Sequence, residues 1–398
     1  MAPGALRSLA LLVCAEMAAM SLWFVSAAIL PEMQAEASLS PGRAAALSSA
    51  VQLGFVLGAL GFAIHGTPDR YDPRRVMAVA ACLGALVNAG LLITPVGGAL
   101  QVVLRGLTGV ALAGVYPVGM KIAVGWSQRR RGLLVGVLVC ALTLGSAAPH
   151  ALALAGGAEW RFTVMGASLL ALLAALLILF TRLGPHHATA PRFDPSALRL
   201  VWQRPRLRLA YAGYLCHMWE LYGLWAWLAV ALSVSFAPHL GEGAPAAARL
   251  LSFAAIALGG LLCIPAGAMA DRWGKARVAG VCLAGSASAA FVTAAGFGGA
   301  PWVTVVSVLI WGALVIPDSA LFSALVADAA PPDRAGSLMT FQTALGFLST
   351  TFTVQGAPWA AAWLGWPATL ALLGIGPVLG VEAMRRLARL TGERGVTC

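Results

Sequence analysis

Gly267-Ala-Met-Ala-Asp271-Arg272-Trp-Gly274-Lys275-Ala-Arg277 is the one dense charge cluster between two long apolar runs in the second half of this 398-residue chain. An apolar segment long enough to span a bilayer as a helix ends directly at Asp271, and another begins just past Arg277. Gly267 and Gly274 bracket the acid, so the chain is expected to leave a membrane, turn sharply and re-enter it. The same alternation of apolar run and short charged hinge repeats along the sequence.

The chain is 60% hydrophobic and 10% charged, with a mean hydropathy of +0.85, outside the range of soluble domains. Runs of helix-spanning length cover 5–30, 44–64, 76–94, 99–126, 133–154, 162–181, 209–235, 250–270, 278–297, 302–327, 337–357 and 366–388. These predict an all-α membrane protein with twelve transmembrane helices. The net charge of +11 would suggest nucleic acid in a soluble protein, but here its location decides. Apart from Arg43, Arg161 and Arg249, and from Arg105 and Lys121 within runs, the 26 Lys and Arg residues fall in alternate loops and at the two termini. The positive-inside rule then places both termini in the cytoplasm, in a plasma (inner) membrane, and accounts for the basic balance without nucleic acid. The first run is interrupted by Glu16 and continues past Trp23, which reads as a spanning helix rather than a signal peptide.

The seven cysteines lie almost wholly in apolar runs and form no Cys-x-x-Cys pair, so they read as packing residues. No nucleotide-binding loop, metal cluster or nucleophile–base constellation is visible, so no enzyme, cofactor or metal site is expected. Adjacent His186 and His187 lack the accompanying ligands of a metal site.

Asp69-Arg70, followed by Arg74 and Arg75, is a degraded copy of the opening cluster, with His65 in place of the first glycine. It stands 202 positions before Asp271-Arg272, and the same offset relates Cys14 to Cys216 and Leu22-Trp23 to Leu224-Trp225. The chain is therefore expected to be two six-helix pseudo-repeats, 1–183 and 209–398, joined by a cytoplasmic linker, 184–208, that is rich in Pro, His and Arg. A short amphipathic helix near Pro195 to Val201 is expected in that linker, on the membrane surface.

Several polar residues sit inside the runs, where a charge costs about 2.5–3.5 kcal/mol on insertion scales and so faces a partner or a cavity. Glu16 lies mid-run, with Trp23 two turns on and on nearly the same face. Arg105 cannot be neutralised and must have an anion, a carbonyl or water beside it. Tyr116 shares its face, whereas Lys121 lies near the cytoplasmic end of its run and can snorkel. In the seventh run His217, Glu220, Leu224 and Trp227 form one polar-aromatic stripe, with Trp225 beside it. An aromatic stripe with an acid and an imidazole reads as a cavity wall with a proton acceptor. Pro317-Asp318 near the centre of the tenth run frees a backbone carbonyl beside a carboxylate.

The opening stretch, through Gly267, Asp271, Arg272, Gly274, Lys275 and Arg277, resembles the loop signature of the major facilitator superfamily. Asp69 and Arg70 resemble its first-half copy, and Arg105 with Gly109 and Gly114 resembles the fourth-helix motif. The resemblance covers essentially the whole chain. It implies a membrane-embedded transporter working by alternating access, with a cytoplasmic gate at the two charged loops. Its cavity residues would be Glu16, Trp23, Arg105, Tyr116, His217, Glu220, Trp225, Trp227 and Asp318. Arg105 favours a small anion, and His217 with Glu220 favours proton coupling. An exporter of drugs or amphipathic compounds is the alternative, and a transporter-like receptor is the reading of another class. The expected partners are a small-molecule substrate, protons and the lipid bilayer, with the protein itself a monomer.

Overall fold

The computed structural model describes residues 4–127, 131–157, 159–187, 193–331 and 333–392. Arg129, Arg130, Arg192, Arg394 and Cys398, which entered the charge and cysteine readings, lie outside them. Twelve helical spans are present among the described residues: α1 (Ala5–Ala37), α2 (Pro41–His65), α3 (Pro73–Ile93), α4 (Ala99–Val124), α5 (Arg131–Gly156), α6 (Trp160–Leu179), α7 (Pro205–Leu240), α8 (Ala244–Trp273), α9 (Lys275–Ala295), α10 (Pro301–Ala329), α11 (335–364) and α12 (366–391). We call the end of the bundle that holds the starts of the odd-numbered helices the Arg-rich end. Leu83, Leu86, Leu176, Val281 and Phe352 are each more than half exposed, an apolar rim suited to lipid rather than water.

Backbone chemistry sets where the helices turn and where they break. Gly274 separates α8 from α9 at φ 95°, and Gly365 separates α11 from α12 at φ 82°. A side chain at either position would be strained in this region, so glycine makes the turn. Gly267, expected to bracket the same hinge, instead lies inside α8 with open space where its side chain would be. The turn there is made by Gly274 without its help. α10 breaks at Ile316–Asp318, because Pro317 removes a donor and crowds the preceding turn. α4 breaks before Tyr116 for the same reason, with Pro117 in the first turn of its second segment. α1 is interrupted between Met20 and Val25, where Leu22 and Trp23 donate to Ala19 and Met20, three residues back. Pro31, just past the first apolar run of 5–30, lies inside the far segment of α1, which runs to Ala37 and leaves only a tight turn before α2.

Small residues let helices meet backbone to backbone. A Cβ on Gly54 of α2 would collide with Gly106 of α4, and one on Gly109 of α4 with Val51 of α2. The equivalent pair in the second repeat does the same, Gly259 of α8 against Gly312 of α10. Between the two six-helix sets, α2 packs on α11 and α5 on α8. Gly260 of α8 meets Thr143 of α5, and Gly42 at the start of α2 meets Trp359 of α11.

The described part of the linker forms a helical turn at Pro195–Leu198 and a short helix at Arg199–Gln203. Ala197 and Val201 face inward and Trp202 is exposed. The Asp194 amide donates to Ser337 Oγ at 2.8 Å, and its carboxylate lies 3.6 Å from Arg334, which fastens the linker to the start of α11.

Candidate functional site

Glu16 lies eleven residues into α1 and His217 twelve residues into α7, which at about 1.5 Å per residue puts both near mid-span. Glu16 is fully buried and neither carboxylate oxygen has a hydrogen-bond partner. Its Oε2 packs where a side chain on Gly119 of α4 would sit. Tyr116, at the α4 break, lies near Glu16, near Cys263 of α8 and near Tyr214 of α7, so it stands between the two six-helix sets.

Arg105 is also fully buried, and its guanidinium is taken up by the α1 break. Nη2 donates to the carbonyls of Leu22 at 3.0 Å and Trp23 at 2.6 Å, and Nη1 donates to Asn88 Oδ1 on α3 at 3.0 Å. Of its nitrogens Nε is left without an acceptor. The break frees carbonyls that a continuous helix would use, and the one buried cation among the described residues of α1–α6 satisfies them.

Above Glu16, on the side away from the Arg-rich end, six aromatic rings close the space between the two sets. Trp23 packs on Phe55 of α2 at 4.9 Å, on Phe347 of α11 at 5.2 Å and on Tyr222 of α7 at 5.7 Å. Phe24 packs on Tyr222 and Trp225, and Phe55 on Phe347 at 4.5 Å. Further out, Arg249 of α8 forms an ion pair with Glu32 of α1, and Gln355 of α11 donates to Ser49 of α2 at 2.6 Å.

The stripe expected on α7 as a cavity wall keeps to one face, but that face turns away from the first six helices. Tyr222 and Trp225 face the first six helices, whereas His217, Glu220 and Trp227 turn into their own set. Glu220 accepts from Ser286 Oγ of α9 at 2.9 Å and from Trp311 Nε1 of α10 at 2.8 Å, so both of its oxygens are occupied. Trp227 Nε1 donates to the Val354 carbonyl of α11 at 2.9 Å. His217 Nδ1 lies 3.1 Å from Asp318 Oδ1, each side chain 1% exposed, with Phe322 and Tyr214 against the imidazole. A mid-membrane acid gains more from fixed donors than from an apolar wall, and for Glu220 those donors are on α9 and α10.

At the Arg-rich end Lys121 pairs with Asp69 and donates to the Pro68 carbonyl at 2.8 Å, while Arg70 is exposed. In the second copy Lys275 Nζ donates to Asp328 Oδ2 of α10 at 2.5 Å, and Asp271 and Arg272 are exposed. Asp271 and Lys275 open onto a cleft of about 390 Å³ whose other charged lining residues are Arg206 and Asp328. Outside the membrane-spanning segments, Asp72 is held below the usual carboxylate range by its hydrogen bonds from Arg74, which also donates to the Thr181 carbonyl.

Two residues absent from the sequence reading belong to the central face. Gly145 of α5 abuts Met17 and Met20 of α1, and Thr143 abuts Gly260 of α8, so at about 100° per residue Ser146 and His150 fall on the arc between those contacts. Both ring nitrogens of His150 and the Ser146 hydroxyl are buried without partners. A histidine alone in the apolar run 133–154 was the available signal.

A family model described as Major Facilitator Superfamily matches residues 11–354. An uncharacterised 38 kDa protein from the 23S RNA operon of Thermoproteus tenax is 28% identical over 263 residues, a match that spans 63% of this chain and 65% of that protein's length. Among solved structures, a bacterial homologue of the human lysosomal transporter Spinster, inward-facing and unoccupied, aligns over 100% of both chains with a TM-score of 0.75 at 12% identity. A D-xylose–proton symporter aligns with a TM-score of 0.74 at 15% identity, over 95% of this chain and 96% of its own. A nucleoside transporter aligns with a TM-score of 0.72 at 13% identity, over 96% of this chain and 99% of its own. Structural likeness at these identities establishes the fold. With the family match extending over most of the twelve spans, this chain belongs to the Major Facilitator Superfamily.

Proposed function

We propose that the protein is a proton-coupled secondary transporter that exchanges an organic, amphipathic cation for protons by rocking its halves, 1–183 and 209–398, about the layer that contains Glu16. The Arg-rich end is cytoplasmic, as are both termini, the membrane is the plasma membrane, and the unit of transport is a monomer. One observation carries the choice of substrate: Glu16 has no partner for either oxygen, beneath rings that can hold a cation against their faces. A single carboxylate holds either a proton or a cation, and that competition makes exchange the natural outcome.

A small anion would depend on Arg105, and three of that side chain's hydrogen bonds already go to Leu22, Trp23 and Asn88. Two of its five N–H donors remain, whereas Glu16 offers both oxygens with no partner at all, which favours a cation there. Glu220, both of whose oxygens are occupied, is less suited than Glu16 to exchange protons with a cavity.

The test is flux in proteoliposomes under a pH gradient, with ethidium, succinate and xylose as the cationic, anionic and neutral probes. The proposal expects gradient-driven ethidium movement that Glu16→Gln abolishes. Gradient-driven movement of succinate or xylose without ethidium would overturn the substrate class. Ethidium binding with no flux would favour the receptor reading.

A further inference from the structure

Glu16 is not the only buried acid whose hydrogen bonding is incomplete. In the second six-helix set His217 and Asp318 form a separate centre, joining α7 to the broken middle of α10. Asp318 Oδ1 and both ring nitrogens of His217 make no well-aligned hydrogen bond, although Nδ1 and Oδ1 are 3.1 Å apart. The titratable groups facing this centre are Tyr214 and Glu220 of α7, Cys263 of α8 and Cys282 of α9. Among the described buried residues of α7–α12 the one Lys or Arg is Arg249, which is engaged with Glu32 near the far end of α8. No fixed cation therefore neutralises Asp318, and the group placed to do so is an imidazole that can gain and lose a proton.

Glu220 differs in kind. Ser286 and Trp311 donate to both its oxygens from its own half, so rocking of the halves need not disturb it. The His217–Asp318 centre is adjacent to the moving face: Cys263 of α8, whose thiol lies 3.9 Å from the Ile316 carbonyl in the α10 break, also lies against Gly136 of α5 across the boundary between halves.

Resting on the exchange reading above, we infer that the His217–Asp318 pair carries a second proton that does not compete with substrate, so that two protons move for each monovalent cation. In the loaded state the added proton sits on Nδ1 of an imidazolium, donated to the Asp318 carboxylate, with the other ring proton on Nε2. On release the pair returns to neutral imidazole and carboxylate, and its charge falls from zero to −1. Glu16 meanwhile passes from protonated to cation-bound, with no net change of charge at that site. One net positive charge then crosses the membrane with the protons in each cycle.

The experiment uses ethidium-loaded proteoliposomes of the whole chain. With equal pH on both sides, a K⁺/valinomycin potential of about 100 mV, inside negative, is imposed. One net charge per cycle sets a limiting gradient of roughly 50-fold at that potential. Protons are drawn in and ethidium is expelled. One-for-one exchange gives no response to potential, and a simple leak draws ethidium inward, the opposite sign. Asp318→Asn should lower the measured ratio from two protons per ethidium to one and remove the response to potential, while a pH gradient still drives slower exchange. His217→Gln is the second variant and should do the same if Asp318→Asn proves unstable. Wild-type exchange that follows a pH gradient but ignores potential would overturn the two-proton inference alone. A wild type that exchanges no ethidium under a pH gradient would instead overturn the substrate reading on which it rests. An unchanged ratio in both folded variants would remove the pair from the proton path.

Discussion

Glu32 on α1 and Arg249 on α8 form an ion pair across the boundary between the two six-helix sets, with side chains only 14% and 7% exposed. Removing one member of a buried pair strands the other charge, at a cost of about 3 kcal/mol to the arrangement that contains it. In the proposed orientation the pair lies outside the aromatic layer and fastens the outer gate. Glu32→Gln should therefore shift the gate roughly 100-fold toward opening, read as faster labelling of a cysteine placed near Phe347. The double exchange Glu32→Arg with Arg249→Glu should restore slow labelling. Equal labelling in wild type and Glu32→Gln would mean that the pair does not hold the gate.

Arg105 should behave as a structural residue. Hydrogen bonds from a charged group contribute about 1.5–3 kcal/mol each, and Arg105→Lys cannot keep its three contacts with Leu22, Trp23 and Asn88. The expected result is a lower unfolding temperature in detergent, with ethidium affinity falling no more than stability explains. An unchanged unfolding temperature with a selective loss of binding would put Arg105 in the substrate site instead.

Glu16 and Glu220 should separate functionally. Glu220→Gln can keep its amide oxygen on Trp311 Nε1 and donate to Ser286 Oγ, whose hydroxyl then turns to the Leu283 carbonyl, so stability should fall by no more than about 1 kcal/mol. Gradient-driven exchange per folded molecule should survive in Glu220→Gln and vanish in Glu16→Gln. The reverse result would return the proton to Glu220.

Asp271→Asn should leave expression and unfolding temperature unchanged, because Asp271 is exposed at the mouth of a charged cleft. Transport should fall several-fold if this loop gates access at the Arg-rich end. Wild-type rates in the variant would leave the loop a topological signal and nothing more.

The proposed orientation is checked by Asp69→Cys and Lys275→Cys, each in a background with the native cysteines replaced. A membrane-impermeant maleimide should reach both from the cytoplasmic side of sealed vesicles and neither from the outside of intact cells. Labelling of either from outside would invert the arrangement.

The helices, their number and the charged hinges were legible in the sequence, because spanning length and loop charge are local properties that need no knowledge of what packs against what. Gly274 was readable as a turn for the same reason, since a positive φ is a demand on one residue. The roles of the buried polar residues were not readable. Periodicity put His217 and Glu220 on one face of α7, but which neighbour that face meets depends on helices α9 and α10, supplied by Ser286, Trp311 and Asp318 far along the chain. Arg105 announced that it needed acceptors, and only the break in α1 decided that they would be the carbonyls of Leu22 and Trp23. His150 looked like one more residue of an apolar run until the α1 and α8 contacts fixed the rotation of α5. A sequence can therefore record that a buried charge must be compensated, because desolvation acts on the residue itself. Tertiary structure alone chooses the partner, because hydrogen bonds act over about 3 Å and the residues they join lie on different helices.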